Sequence, residues 1–362
     1  MRLLFVTQVL DEKDPVLGFV TRWVEELALR VEKIEVICLR EGKHTFPSNV
    51  RVHSLGKEGI VDSRPSTVGS KILNKIRYTI RFKRLAWSRR EEYDAIFVHM
   101  NQEYILIAGP MWKFLGKKIY MWRNHYKGNW LTDLAASFCD TVFCTSKYSY
   151  TAHYKKTVLM PVGVDTKIFT PDESVRPAPH SILFLSRMSP SKRPEMLIEA
   201  LSILNQKGIA FTATFVGSPN PEEEKYYTGL SKRVLEYGLE HDVSFMPAVT
   251  KDQAVDIFRS HEIFVNCSPS GMFDKTLFEA AACDCLVLAT SIDFKEAVRA
   301  EYFYSEDTAV NLALKLQFLL TTISTERESA RAILAAVVQA NSLSVLIARL
   351  CKEVSESTDT II

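Results

Sequence analysis

The run SRMSPSKRP carries Arg187 and Lys192 on one short loop just ahead of a helical pattern. Arginine presents a planar fork of donors and lysine a compact point charge, so the two together suit a diphosphate-like anion. A second run, NCSPSGMFDKTLFEAAACD, spreads Gly271, Met272, Asp274, Lys275, Thr276 and Leu277 across a helix start, with Glu279 in its first turns. Free N–H groups at such a start attract negative charge. Glu279 has apolar neighbours in Leu277, Phe278 and the alanines that follow, which argues for an enclosed carboxylate rather than an exposed helix glutamate. In the first half, polar residues gather at Gly18, at His99 and Asn101, and at Arg123 to His125. Each has a plain alternative. The cations would be solvated loop charges, His125 a satisfied rim histidine, His99 and Asn101 helix caps, and Gly18 an ordinary turn glycine.

These residues share one position relative to the elements around them. Runs at 3–6, 35–39, 95–100, 118–122 and 141–145 are short, β-branched and apolar on both faces, as strands of a helix-covered parallel sheet are. Phe19, Val20, Trp23, Val24, Leu27 and Ala28 recur between them at helical spacing. A second series of strands follows at 181–185, 212–216, 243–246, 263–267 and 286–289, each with a helical pattern behind it. The polar, proline-containing stretch 170–180 reads as a linker, and from about residue 307 the pattern is helical only. The expectation is two Rossmann-like doubly wound α/β domains, 1–170 and 171–362, facing each other across a cleft. Ligands of open parallel sheets bind beyond the carboxyl ends of the strands, and every polar cluster above falls there.

Composition narrows the classes. An apolar share of 47%, a charged share of 24% and a net charge of +2 describe an ordinary globular chain and predict no nucleic-acid partner. The N-terminal apolar run is too short for a secretory leader and reads as a buried strand, and no stretch approaches a membrane span. Most cysteines lie in apolar segments, which fits reduced core residues in a cytoplasmic protein; Cys283 and Cys285 read as small core residues rather than metal ligands. Neither GxGxxG after the first strand nor GxxxxGK[ST] occurs, which argues against a dehydrogenase or P-loop enzyme.

Four segments in order resemble the retaining, two-domain glycosyltransferases of family 4 (GT-B fold, glycosyl transferases group 1). These are MPVGVDTKIF at 160–169, ILFLSRMSPSKRPEMLIEAL, TFVGSP, and the run from Val265 to Thr290. GFVTRWVEELA in the first half looks like the family's glycine-plus-helix opening. The resemblance implies a hexose-type sugar moved from a nucleoside-diphosphate sugar to a glycan or lipid-linked acceptor, with retention of configuration and with neither metal nor cofactor. Arg187 and Lys192 would then stabilise charge growing on the leaving diphosphate, as would N–H groups at Lys275 to Leu277. Glu279 would accept the ribose hydroxyls, and Gly18 would let backbone approach the phosphates. His125 would position the donor sugar, supporting positive charge through its carbonyl; His99 and Asn101 would line the acceptor pocket. The chain departs from the pattern at Gly271, where many members carry a glutamate against the donor sugar, and at Asp274, where glycine is common. Asp274 itself, or N–H groups near Met272, would then supply the missing contacts. Asp284 replaces a helix-ending glycine, a place where Asp tolerates left-handed backbone. The alternative is a catalytically inactive nucleotide-sugar-binding or scaffolding subunit. A non-hydrolysing epimerase lacks this arrangement of Arg187, Lys192 and Glu279.

Residues 71–90 hold eight cations and no acid, with Ile72, Leu73, Ile76 and Ile80 interleaved. Such a helix either packs its apolar stripe on the sheet or lies on an anionic membrane at the inner face. Packing on the sheet is the simpler expectation.

Overall fold

The computed structural model describes residues 1–14, 16–58, 68–271, 273–298, 303–321 and 324–356; for 68, 71, 324, 325 and 356 it describes the backbone alone. The chain forms two compact units, one of Met1–Met160 with the segment from Leu346 onward, the other of Pro161–Val345.

The first unit is built on strands β1 (Arg2–Leu10), β2 (Lys33–Glu41), β3 (Val50–Ser54), β4 (Ala95–His99), β5 (Lys118–Trp122), β6 (Thr141–Cys144) and β7 (Thr157–Leu159). Among the described residues they make one sheet in the order β3-β2-β1-β4-β5-β6-β7, with every pairing parallel. Apolar side chains on both faces bury the central strands: all five residues of β4 are buried. The helices α1 (Phe19–Ala28), α2 (Val68–Ser88), α3 (Gln102–Phe114) and α4 (Trp130–Phe138) connect them. On α1 the buried residues Val20, Trp23, Val24, Leu27 and Ala28 match the periodicity read from sequence.

The second unit holds β8 (Ala178–Leu185), β9 (Thr212–Val216), β10 (Val243–Met246), β11 (His261–Asn266) and β12 (Leu286–Ala289) in the order β10-β9-β8-β11-β12, again parallel. Its helices are α5 (Pro194–Gln206), α6 (Glu224–Glu236), α7 (Lys251–Arg259), α8 (Thr276–Ala282), α9 (Ile292–Val298), α10 (Ala309–Thr321) and α11 (Ser324–Ala340), with α12 (Leu343–Glu356) running on into the first unit. Cys283 and Cys285 are buried between α8 and β12, and the Cys285 thiol donates to the Phe258 carbonyl at 2.9 Å.

Two expectations change. The units divide ten residues before the expected boundary, because the MPVGVD segment is stitched to the end of α11. The amides of Val162, Gly163 and Val164 donate to Asn341 at 3.1, 2.9 and 2.9 Å, and the Leu343 amide donates to the Val164 carbonyl at 2.6 Å. Val162, Val164 and Phe169 are core residues of the second unit. The end of the chain, expected wholly in the second domain, returns to the first, where buried Tyr120 donates its hydroxyl to the Val354 carbonyl at 3.2 Å.

The other change is α2. Phe82 and Ala86 are its buried residues, with Tyr78 and Leu85 partly covered. Ile72, Leu73, Ile76, Ile80 and Trp87 instead stand between 47% and 68% exposed, so the expected packing of the isoleucine stripe on the sheet does not occur. Among the described residues, no helix is long and apolar enough to cross a membrane.

Candidate functional site

Strand order in the second unit reverses between β8 and β11, which opens room beyond their carboxyl ends. The loop after β8 brings Arg187 and Lys192, and the loop after β11 brings Ser268 to Lys275. The second loop contains the most tightly organised polar group of the unit. Lys192 Nζ donates to both oxygens of Asp274 at 2.6 Å and to Ser268 Oγ at 3.2 Å. Asn266, the last residue of β11, donates to Asp274 Oδ2 at 3.0 Å and accepts the Ser268 amide at 2.9 Å, while the Ser268 hydroxyl donates to Asp274 as well. Burial pushes the Asp274 carboxyl up, but the Lys192 charge and the hydrogen bonds from Lys192, Ser268 and Asn266 outweigh it and hold the group below its ordinary value. The lysine expected to face a ligand anion already faces an anion of the chain's own.

Arg187 is prepared differently. It is exposed, and among the described residues it makes no ion pair or hydrogen bond through its guanidinium. Arg193 has a structural task instead. It holds left-handed backbone at φ 53° ahead of α5 and clamps the Cys267 carbonyl at 2.6 Å, Asp307 at 2.6 Å and Thr290 at 3.1 Å.

Glu279 and Lys275 face each other at 3.8 Å, one turn apart at the start of α8. Burial pushes the glutamate up and the lysine down, each against the pull of the other. The Leu277 amide, expected to be free for a ligand, is engaged by the Asp274 carbonyl at 3.3 Å, whereas Thr276 opens the helix half-buried. Gly271 sits at φ 88° with its amide held by Asp293 at 2.7 Å. A glutamate there would strain the left-handed backbone by about 1–2 kcal/mol, a physical reason for the departure at this position. Met272 lies outside the described residues. Asp284 has the left-handed backbone expected of it, at φ 72°, and pairs with Arg331 at 3.0 Å.

The first unit has its own reversal, between β1 and β4, and there a cavity of about 430 Å³ opens beside Gln8, His99, Asn101, Arg123, His125 and Lys127. His99 ends β4 buried, its ring against Trp23 at 5.5 Å and Phe19 at 5.8 Å. Asn101 precedes α3 without capping it through its side chain, so the cap reading fails, and it lines this cavity. His125 follows β5, and the Lys127 amide donates to its Nδ1 at 2.9 Å. Its carbonyl, expected to face a donor sugar, accepts the Tyr150 amide at 2.9 Å. Gly18 is not among the residues lining the cavity. A side chain there would stand 2.6 Å from the Asp14 carbonyl and 2.9 Å from that of Glu12, so the loop's own close approach demands the glycine. Sequence reasoning missed Asn266 as a site residue and put Arg123 in a polar cluster beyond a strand without giving it a role. Their signal was a polar side chain at the carboxyl end of an otherwise apolar strand.

Residues 179–322 match the family model of glycosyl transferases group 1. The D-inositol 3-phosphate glycosyltransferase of Pseudarthrobacter chlorophenolicus is 30% identical over 153 residues, covering 40% of this chain and 36% of that protein. The protein of the same name from Mycobacteroides abscessus is 27% identical over 138 residues, covering 36% and 30%. The match thus spans about a third of these relatives' length. Over the full chain the likeness is structural. Anabaena HepE, solved in complex with UDP-glucose, aligns with a TM-score of 0.74 at 17% identity, covering 99% of this chain and all of that one (100%). Sucrose-phosphate synthase of Thermosynechococcus elongatus aligns with a TM-score of 0.75 at 15% identity, covering 99% and 100%. The fold is that of two Rossmann-like parallel α/β domains, as in GT-B glycosyltransferases.

Proposed function

We propose that this chain is a glycosyltransferase that takes a hexose-type sugar from a nucleoside-diphosphate sugar to a glycan or lipid-linked acceptor, with retention and without metal, in the cytoplasm. The observation that carries the reading is the convergence at the β8–β11 reversal. Arg187, Lys192, Asp274 and Glu279 follow its two strands, and the stretch containing them matches the group 1 glycosyl transferase model. The complexes of HepE with UDP and UDP-glucose support a donor of this class.

In this reading, breaking the glycosidic bond leaves charge on the diphosphate, and cations fixed before the reaction lower that barrier without reorganising. Arg187 meets the leaving phosphate with no internal partner to release. Lys192 reaches it only by sharing or exchanging Asp274. Glu279, held next to Lys275, takes the ribose hydroxyls, and His125 orients the sugar. The leaving phosphate receives the acceptor proton, so no carboxylate nucleophile is needed. A thermal-shift screen against UDP, GDP, ADP and their sugar conjugates tests the donor site. A ligand at a hundred times its dissociation constant raises stability by about 2.7 kcal/mol. A shift with one nucleotide that vanishes in Arg187→Ala supports the reading. A well-folded protein that responds to none of them sinks it, and binding without turnover across an acceptor panel favours the inactive subunit.

The exposed face of α2 extends this reading to a membrane surface. At about 100° per residue, Ile72, Leu73, Ile76, Ile80 and Trp87 share an arc of about 100° that turns away from Phe82 and Ala86. Arg77 and Arg84 border that arc on one side and Lys83 falls within it, all exposed. Two apolar faces on one helix leave the outer one for another apolar medium, and its cations select an anionic surface. Sedimentation with phosphatidylglycerol vesicles, compared with phosphatidylcholine alone, checks this. Binding that persists in Leu73→Ser/Ile76→Ser rules it out.

A further inference from the structure

The cavity of the first unit has an electrostatic character that the donor reading does not use. None of its lining residues is acidic, whereas Arg123 and Lys127 both contribute to it. Arg123 is half-buried, and burial lowers its guanidinium below the ordinary arginine value. Among the described residues it forms no ion pair. Its Nε donates to Gln102 at 3.1 Å and one Nη to the Lys127 carbonyl at 3.0 Å. These two bonds fix the plane of the fork while leaving further N–H groups unspent.

Two carboxylates on adjoining elements are engaged elsewhere, and a third acts on Arg123 only through space. Asp14, in the loop that also supplies Val16 and Leu17 to the cavity, pairs with Arg40. Asp133 on α4 accepts the hydroxyls of Tyr150 and Tyr154. Glu103 on α3 is exposed and acts on Arg123 only through space. A partly desolvated cation with no counter-ion in contact among the described residues is costly unless a ligand supplies one. Lys127 Nζ, lying over the Tyr126 ring at 5.3 Å, adds a second charge, and His125 also lines the space. At about 430 Å³ the space exceeds a bare anion and admits a sugar-sized body attached to one.

We infer that this cavity is an oxyanion subsite in which Arg123 and Lys127 hold the phosphate group of the acceptor. The inference rests on the proposed transfer reaction and deepens it by naming the acceptor's chemical class. The phosphate belongs either to a soluble phosphorylated sugar or to a lipid headgroup, and the chemistry at Arg123 is common to both.

Calorimetric titration of the full chain with inorganic phosphate, glucose 6-phosphate and glucose tests the first source. Sedimentation with phosphatidic acid vesicles against phosphatidylcholine vesicles tests the second. The expected result is that a phosphate-bearing probe binds where glucose does not, and that Arg123→Gln weakens it at least about ten-fold, comparable to losing one hydrogen bond to a charged group. Because Arg123 is half-buried, Lys127→Gln serves as an exposed second variant with a smaller loss, and UDP binding reports that each variant is folded. Glucose 6-phosphate binding assigns the soluble source, and vesicle binding alone with the same Arg123 dependence assigns the lipid. Phosphate probes that bind no better than glucose, or equally well to both variants, overturn the subsite. UDP binding without phosphate binding removes this inference and leaves the donor reading standing. Phosphate binding without any nucleotide does the reverse.

Discussion

The two sheets reverse their strand order in the same way, yet the chain pairs the cations of the two carboxyl-end regions differently. Beyond β8 and β11 the cation Lys192 is matched internally by Asp274, itself held by Ser268 and Asn266. Beyond β1 and β4 the cavity has cations and no acidic lining residue. Topology therefore specifies where a ligand binds, while individual residues decide whether the site is charged or already neutralised.

The largest test of that contrast is Lys192→Ala. It strands Asp274 among Ser268 and Asn266, and we expect a loss of about 2–3 kcal/mol in urea unfolding, below the full cost of a deeply buried orphan because both side chains keep slight exposure. A variant as stable as the parent breaks the contrast. Arg187→Ala, which breaks no ion pair or hydrogen bond among the described residues, leaves stability unchanged but weakens nucleoside diphosphate binding by about 1.5–3 kcal/mol, read by calorimetry. Equal effects on folding and binding would show that Arg187 is structural.

Acid titration sharpens the comparison within the second unit. Asp274 is depressed when folded, so its stabilisation is complete above the unfolded carboxylate value of about 3.9 and is lost as pH falls through the folded one. Glu279 is raised, so its contribution runs the other way: greatest below an unfolded value of about 4.3 and lost as pH rises through the folded one. Stability measured from pH 6 down to about 3 should therefore fall more gently in Asp274→Asn and more steeply in Glu279→Gln. Identical slopes in both variants would contradict the assignment. The smallest effect belongs to the first unit. Arg123→Gln orphans no carboxylate, and its cost should stay near 1 kcal/mol, that of its two hydrogen bonds to Gln102 and Lys127. A cost matching that of Lys192→Ala would mean the cavity hides a counter-ion.

Much of this architecture was legible beforehand. All ten expected strands exist, because runs apolar on both faces have few alternatives to a covered parallel sheet. The two strands not foreseen, β3 and β7, are the half-exposed edges of the first sheet, where one missing neighbour weakens the apolar signal. The α2 stripe misled for a related reason. Periodicity reports that a helix has an apolar face, but not which face meets the sheet, and here the sheet took Phe82 and Ala86.

The sequence by itself determined the local and periodic features. These are the strands and helices, the clustering of polar residues beyond strand ends, and the left-handed turn at Asp284. Only the tertiary structure decided the partners. Lys192 and Asp274 meet across 82 residues of chain and Tyr120 and Val354 across 234, whereas Arg123 forms no ion pair among the described residues. The physical reason is range: backbone propensity acts over a few residues, whereas a charge is matched or unmatched according to which distant segments the sheet brings beside it.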